Sequence, residues 1–132
     1  EFRYLENRGA AFGMLQNQQW FFLIITVITI CIITYIYIKL PHDKHFTPLR
    51  LCMISLMAGA IGNMIDRIRL QYVIDFIYFK IIDFPIFNVA DIFATVATFA
   101  LIILFLFYYS EEDFDLIFNL CLPKRKNKQE SC

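Results

Sequence analysis

The run Trp20-Phe21-Phe22-Leu23-Ile24-Ile25-Thr26-Val27-Ile28-Thr29-Ile30-Cys31-Ile32-Ile33-Thr34-Tyr35-Ile36-Tyr37-Ile38 decides the fold. Nineteen residues pass without a charge, close to the roughly 20 that a helix needs to cross the hydrocarbon core of a bilayer. In water, this wealth of Ile, Val, Thr and Phe would suggest a strand. In lipid, a segment must satisfy its own backbone hydrogen bonds, so a run of this length predicts a helix. Trp20, Tyr35 and Tyr37 lie near its ends, where amphipathic rings favour the interface.

The rest of the chain fits that reading. Of its 132 residues, 59% are hydrophobic, against about 45–50% in a typical soluble domain. Two more apolar runs, residues 51–65 and 87–109, predict further spans. Residues 67–86 between them mix alternating and aromatic side chains (Val73, Ile74, Phe76, Ile77, Tyr78, Phe79) and read as strand-like or interfacial. The expected fold class is an all-α integral membrane bundle with three transmembrane helices and a small extracytoplasmic strand-like segment. It forms one membrane domain over residues 1–122, with a basic tail at 123–132. Residues 111–122 mix acids with apolar side chains and read equally as a short interfacial helix or a frayed helix end.

Charge excludes some functions and orients the chain. Formal net charge is zero, so no global basic field points to nucleic acid. The loop after the first span carries Lys39, Lys44 and Arg50, and the tail carries Lys124, Arg125, Lys126 and Lys128. Both are expected on the cytoplasmic side, which puts the N-terminal stretch and residues 67–86 outside. An external start without a signal peptide predicts one more helix upstream, giving four spans. Cys31, Cys52, Cys121 and Cys132 have no ligand-like spacing and read as free thiols. His42 and His45, three apart, are weak metal spacing and read as a solvated loop. No metal or cofactor is expected.

Polar residues stand where lipid should exclude them. In the second span Ser55, Gly59 and Asn63 recur every four residues, as do Ala58 and Gly62. Such small-residue rows let helices approach closely. Asn63, Asp66 and Arg67 share one face, and the expectation for these three is an interhelical hydrogen-bond cluster in which Arg67 neutralises Asp66. In the third span Asn88 and Asp91 share a face, and Ala90, Ala94 and Thr98 form another small row. An ionised Asp at membrane depth costs about 2.5–3.5 kcal/mol, so Asp75 and Asp91 demand a reason. Taken singly, Asp91 reads as a helix cap and Asp75 as a turn residue. Taken together, two carboxylates brought close cannot both ionise cheaply. They share a proton, and one can activate water while the other protonates the leaving group. A proton relay in a transporter would instead string acids along a transmembrane path, and here they cluster at one end. The N-terminal run from Glu6 to Leu15 reads as a loop or helix start, with Asn7 within reach of the same site and Gly9 and Gly13 allowing tight turns.

Four blocks taken in order resemble lipoprotein signal peptidase, also called signal peptidase II. They are Asn7-Arg8-Gly9-Ala10-Ala11-Phe12, Gly59-Ala60-Ile61-Gly62-Asn63-Met64-Ile65-Asp66-Arg67, Val73-Ile74-Asp75-Phe76 and Phe87-Asn88-Val89-Ala90-Asp91. The resemblance implies an aspartic endopeptidase of the bacterial inner membrane with its active site on the outer face and its C-terminus in the cytoplasm. The implied substrates are prolipoproteins already carrying diacylglycerol on a cysteine, cut just before that cysteine. It assigns the catalytic dyad to Asp75 and Asp91, and supporting roles to Asn7, Gly9, Asn63, Asp66, Arg67 and Asn88. It implies membrane lipid as a partner and inhibition by globomycin. Phe76, Tyr78 and Phe79 are expected to contact lipid or cover the site. The family has four transmembrane helices and this chain opens after the place of the first, so an inactive, shortened member or a noncatalytic assembly protein is the alternative expectation. Ala58-Gly59-Ala60 stands where the family commonly has Gly-Gly-Ala.

Overall fold

The computed structural model describes residues 1–10 and 14–122. The basic tail expected at 123–132 lies outside the described residues. Strand β1 (Phe2–Asn7) is followed by helices α1 (Gln19–Lys39) and α2 (Thr47–Leu70), strand β2 (Val73–Ile77), and helices α3 (Val89–Phe107) and α4 (Glu111–Cys121). Short 3₁₀ turns at Lys44–Phe46 and Lys80–Ile82 punctuate the connections. The chain is mostly helical, and three helices are long and apolar enough to cross a membrane. Their outer surfaces are apolar and exposed, which is what a lipid solvent requires and water does not tolerate.

The helix bounds differ from the sequence expectation most in α2, a 24-residue helix where residues 51–65 were expected. Its first turn accepts Pro48, whose missing N–H costs nothing at a helix start. It absorbs Arg50 because that guanidinium donates to the carbonyls of Leu40 and Pro41, the latter at 3.1 Å, and lies over the Tyr37 ring. It continues through Asp66 and Arg67 because both side chains find partners on other elements. α3 starts two residues later than expected, because Phe87 pairs with Ile77 and Asn88 caps the helix.

Helices α2 and α3 form the tightest pair. A side-chain carbon on Gly59 would lie 2.5 Å from the Ala90 carbonyl oxygen, and one on Gly62 would lie 3.1 Å from the Ala90 side chain. Ser55 donates to the Phe93 carbonyl at 3.1 Å. The small-residue row therefore brings two backbones nearly into contact. At the end of the bundle away from the strands, Leu40, Phe46, Leu49, Met53 and Tyr109 form the buried apolar cluster.

β1 and β2 are an antiparallel ribbon in which Asn7 faces Val73, Glu6 faces Ile74 and Leu5 faces Asp75, with an irregularity before Phe2 meets Ile77. The N-terminal run, expected as a loop or helix start, thus begins as a strand. Two strands alone are marginal. Here Asp66 accepts the Ile74 N–H at 3.2 Å, and the backbone of Phe87 bonds to Ile77 on the other side. His45 is likewise no bare solvated residue: it contacts Asp113 at 3.0 Å and stacks on Tyr108. Cys31, Cys52 and Cys121 are free, as the spacing predicts.

Candidate active site

β2 buries alternate residues, and Val73 and Asp75 are the inward pair. A strand facing a protein interior alternates apolar side chains on its inner face. Asp75 breaks that rule and is only 2% exposed. Burial raises its carboxyl pKa above the ordinary value, reinforced by the Asp91 charge and opposed by two amide donors and the Arg67 charge.

Those donors come from distant parts of the sequence. Asn7, closing β1, gives its amide to Oδ2 of Asp75 at 2.9 Å. Asn88, the N-cap of α3, gives its amide to Oδ1 at 2.7 Å. Neither amide is free to turn over. Asn7 Oδ1 accepts the Gly9 N–H at 3.0 Å, and Asn88 Oδ1 accepts the Asp91 N–H at 3.1 Å. An oxygen pinned to a backbone donor leaves only the NH₂ group to face the carboxylate.

Asp91 is joined to the same network from α2. Asn63 donates to Asp91 Oδ1 at 2.9 Å, and its own carbonyl accepts from the Asn88 amide at 3.0 Å. Asp91 Oδ2 accepts the backbone N–H of Asn88 at 3.0 Å, completing a capping box. The expected cap is present, and the residue that makes it also links Asp91 to Asp75. The cap fixes Asp91 at the mouth of α3, and Asn63 and Asn88 chain it to Asp75.

Both carboxylates line a cavity of about 690 Å³. Asn7, Gly9, Asn63 and Arg67 share its wall. Arg67 is buried, donates to the Gly9 carbonyl at 2.9 Å and lies over the Phe22 ring at 4.7 Å. The expected pairing of Arg67 with Asp66 is therefore replaced: Arg67 clamps the Gly9 loop, and Asp66 braces β2 through Ile74. Asp66 is outside the cavity lining, and Asn88 stands behind Asp75 as a holder. Gly9 cannot carry a side chain because its would-be Cβ meets the Met14 carbonyl.

The rest of the lining is apolar and was only partly anticipated. Phe79, Phe84, Pro85, Ile86 and Phe87 form the rim, and Phe22, Ala94, Thr95 and Val96 extend the cavity along α1 and α3. Of the three aromatics expected over the site, Phe79 lines it. Phe76 points to the other face of the ribbon and stacks on Phe2, while Tyr78 lies beneath Arg3 and donates to Asp83. The rim loop carries Ile81 fully outside at 99% exposure. Gln19, missed in the sequence, donates to the Arg8 carbonyl at 2.6 Å and secures the loop bearing Gly9. No group of metal-ligating side chains occurs among the described residues.

A family model described as signal peptidase (SPase) II matches residues 1–107. The lipoprotein signal peptidase of Streptococcus pyogenes serotype M1 is 48% identical over 111 residues, covering 84% of this chain and 70% of the relative. That of S. pyogenes serotype M3 (strain ATCC BAA-595 / MGAS315) is 47% identical over the same share. Two solved structures, each described as a bacterial membrane enzyme structure obtained by the in meso method, are also similar. One, at 2.3 Å resolution, superposes with a TM-score of 0.73 at 38% identity over 80% of this chain, which spans 64% of its length. The other, at 1.9 Å, has a TM-score of 0.69 at 37% identity over 82% of this chain and 70% of its own.

Proposed function

The chain belongs to the signal peptidase II family, and on that premise we propose that it is an aspartic endopeptidase of the bacterial membrane. Its substrates are prolipoproteins whose cysteine already carries diacylglycerol, and it cuts the peptide bond just before that cysteine. The observation that carries this reading is the chain of amides through which Asn63 and Asn88 hold Asp75 and Asp91 against one cavity.

Asp75 is the enclosed carboxyl, and burial raises its pKa; we therefore give it the role of proton donor in the pair, and the half-buried Asp91 that of the base that faces the water. Asp91 takes a proton from water, and the resulting hydroxide adds to the scissile carbonyl carbon. Asp75 gives its proton to the carbonyl oxygen as charge develops there. The tetrahedral intermediate then collapses: the C–N bond breaks, the amine leaves with the proton held by Asp91, and Asp75 recovers its own. The signal peptide departs with a new carboxyl group, and the lipidated cysteine with a free amine. Arg67 and Asn7 hold the Gly9 loop against the cavity wall, and the apolar rim suits a substrate arriving from lipid.

The basic loop after α1 supports an orientation with this site on the outer side and the far end of the bundle in the cytoplasm. Globomycin is expected to block the cavity. The test uses the full-length protein in bilayers with a synthetic prolipoprotein, with and without the diacylglyceryl group. Mass spectrometry should find a single cut before the cysteine in the lipidated precursor alone. No cut, or equal cleavage of the unlipidated precursor, would refute the proposal.

A further inference from the structure

Residues 78–87 form a loop that carries part of the cavity wall, and the dyad does not explain how that loop is closed. Its base is shut where Phe87 donates to the Ile77 carbonyl at 3.1 Å and accepts the Ile77 N–H at 2.8 Å. Inside it, a 3₁₀ turn runs over Lys80–Ile82, and the Phe84 N–H reaches the Phe79 carbonyl at 3.3 Å. Residues 79–85 are all exposed, so burial does not hold them. A loop of this kind opens easily unless something else ties it.

The tie is a side-chain bond. The Tyr78 hydroxyl donates to the carboxylate of Asp83, five positions on. It is the one side-chain hydrogen bond within 78–87 among the described residues. That bond raises the Tyr78 phenol pKa, so the hydroxyl keeps its proton and remains the donor. The Tyr78 ring is in turn covered by Arg3 of β1, whose guanidinium lies 4.5 Å from the ring centre. Asp83 sits in the left-handed region at φ 48° and ψ 42°, a conformation that strains most side chains and Asp less than most. The chain accepts that strain at the point where the carboxylate meets Tyr78.

Phe79 follows Tyr78 and Phe84 follows Asp83, so each partner of the bond carries a phenylalanine beside it. Both rings line the cavity that Asp75 and Asp91 share. Both rest on Phe87, with ring centres 5.4 and 5.7 Å away, and Phe87 is paired with β2 at Ile77, two residues beyond Asp75. The wall has little behind it, for Phe79 and Phe84 remain 54% and 46% exposed. We propose that Tyr78 and Asp83 are positioning residues of the peptidase, a staple that holds Phe79 and Phe84 in the cavity wall where they grip the apolar part of the substrate. The proposal rests on the reading of this cavity as the prolipoprotein site. The Tyr78–Asp83 bond includes neither carboxylate of the dyad, so it governs how tightly substrate is held and not the chemical step. Binding lost equally from ground state and transition state shows in KM and leaves kcat in place.

The experiment removes one end of the bond at a time. Tyr78→Phe deletes the donor and keeps the ring under Arg3. Asp83→Gly deletes the acceptor at a φ that glycine adopts freely, and Asp83→Asn keeps an acceptor oxygen. Each is made in the full-length protein and assayed in bilayers on the lipidated precursor. Tyr78→Phe and Asp83→Gly should each raise KM about three- to tenfold, the worth of one hydrogen bond, with kcat unchanged. The double variant should be no worse than the worse single, because both remove the same bond. Asp83→Asn should recover most of the loss. Trypsin gives a measurement that needs no substrate: cleavage after Lys80 should quicken in Tyr78→Phe and Asp83→Gly, since proteolysis follows the population of the opened loop. An unchanged KM in Tyr78→Phe while wild type cuts normally overturns the staple alone, as does a fall in kcat at constant KM or a rate of cleavage after Lys80 that does not move. A wild-type protein that leaves the lipidated precursor whole overturns the reading of the cavity, and the proposal with it.

Discussion

The side chain of Asn88 donates to Oδ1 of Asp75 at 2.7 Å, and it is held in that orientation by the helix that it caps. One residue thus does two separable things. Its oxygen starts α3 by accepting the Asp91 N–H, and its NH₂ group aims at the buried carboxyl. Replacing it by Ala removes both, at a capping cost of about 1 kcal/mol. Misplacing the carboxylates should lower turnover on the order of 100-fold. Asn88→Asp keeps the capping oxygen but turns an acceptor toward Asp75. It also buries a third carboxyl against Asp75, so it should melt below wild type despite the intact cap, and lose turnover at least as far as Asn88→Ala. Equal activity in Asn88→Asp and wild type would show that the donor to Asp75 is dispensable.

Close approach of α2 and α3 sets the distance between Asn63 and Asp91. Gly59→Ala drives a methyl group against the Ala90 carbonyl, which is backbone and cannot swing aside. The expected destabilisation is about 1–3 kcal/mol, measured as a lowered unfolding midpoint in detergent, with activity falling as Asn63 is pushed off Asp91. Gly62→Ala meets only the side chain of Ala90 at 3.1 Å and should cost less. A larger effect at Gly62 than at Gly59 would contradict this packing.

The raised pKa of Asp75 predicts the alkaline side of the pH profile. The folded protein holds this proton more tightly than the unfolded chain. The resulting stabilisation is fully present below the unfolded pKa and is lost as pH rises through the folded one. Activity that needs the protonated form falls over the same rise. The Asn7 amide favours the ionised form and so pulls this pKa down. Asn7→Ala should move the alkaline limb of kcat/KM to higher pH, beyond any drop in its height. A limb that stays in place would show that it belongs to another group.

Much of this was legible in the sequence, for physical reasons. Long uncharged runs have one stable form in lipid, so α1 and α3 could be read directly. The row Ser55, Gly59 and Asn63 had helical spacing and marked the α2–α3 contact. Asp75 and Asp91 stood out because burying a charge is costly. What stayed hidden depended on partners far away in the chain. β1 has a weak alternation, and its mate is some 70 residues on, so Phe2–Asn7 was not read as a strand and the run from Glu6, where it ends, was read as a loop or helix start. Arg67 and Asp66 are neighbours and looked like a pair, but each found a better partner, the Gly9 carbonyl and the Ile74 N–H, once the ribbon folded across them. The extent of α2 was misjudged for the same reason: helices stop at polar residues only when those residues lack partners. His45 looked like solvated loop because Asp113 is 68 positions away.

The claim on which the rest depends is that Asp75 and Asp91 act as one proton-sharing pair. The direct measurement is cleavage of a diacylglyceryl-modified prolipoprotein by Asp75→Asn and Asp91→Asn, each in the full-length protein and each checked for cooperative unfolding. An amide at either position cannot hold the shared proton. Both variants should fold and both should lose about 10³-fold or more in kcat. Near wild-type turnover in either variant would contradict the pair.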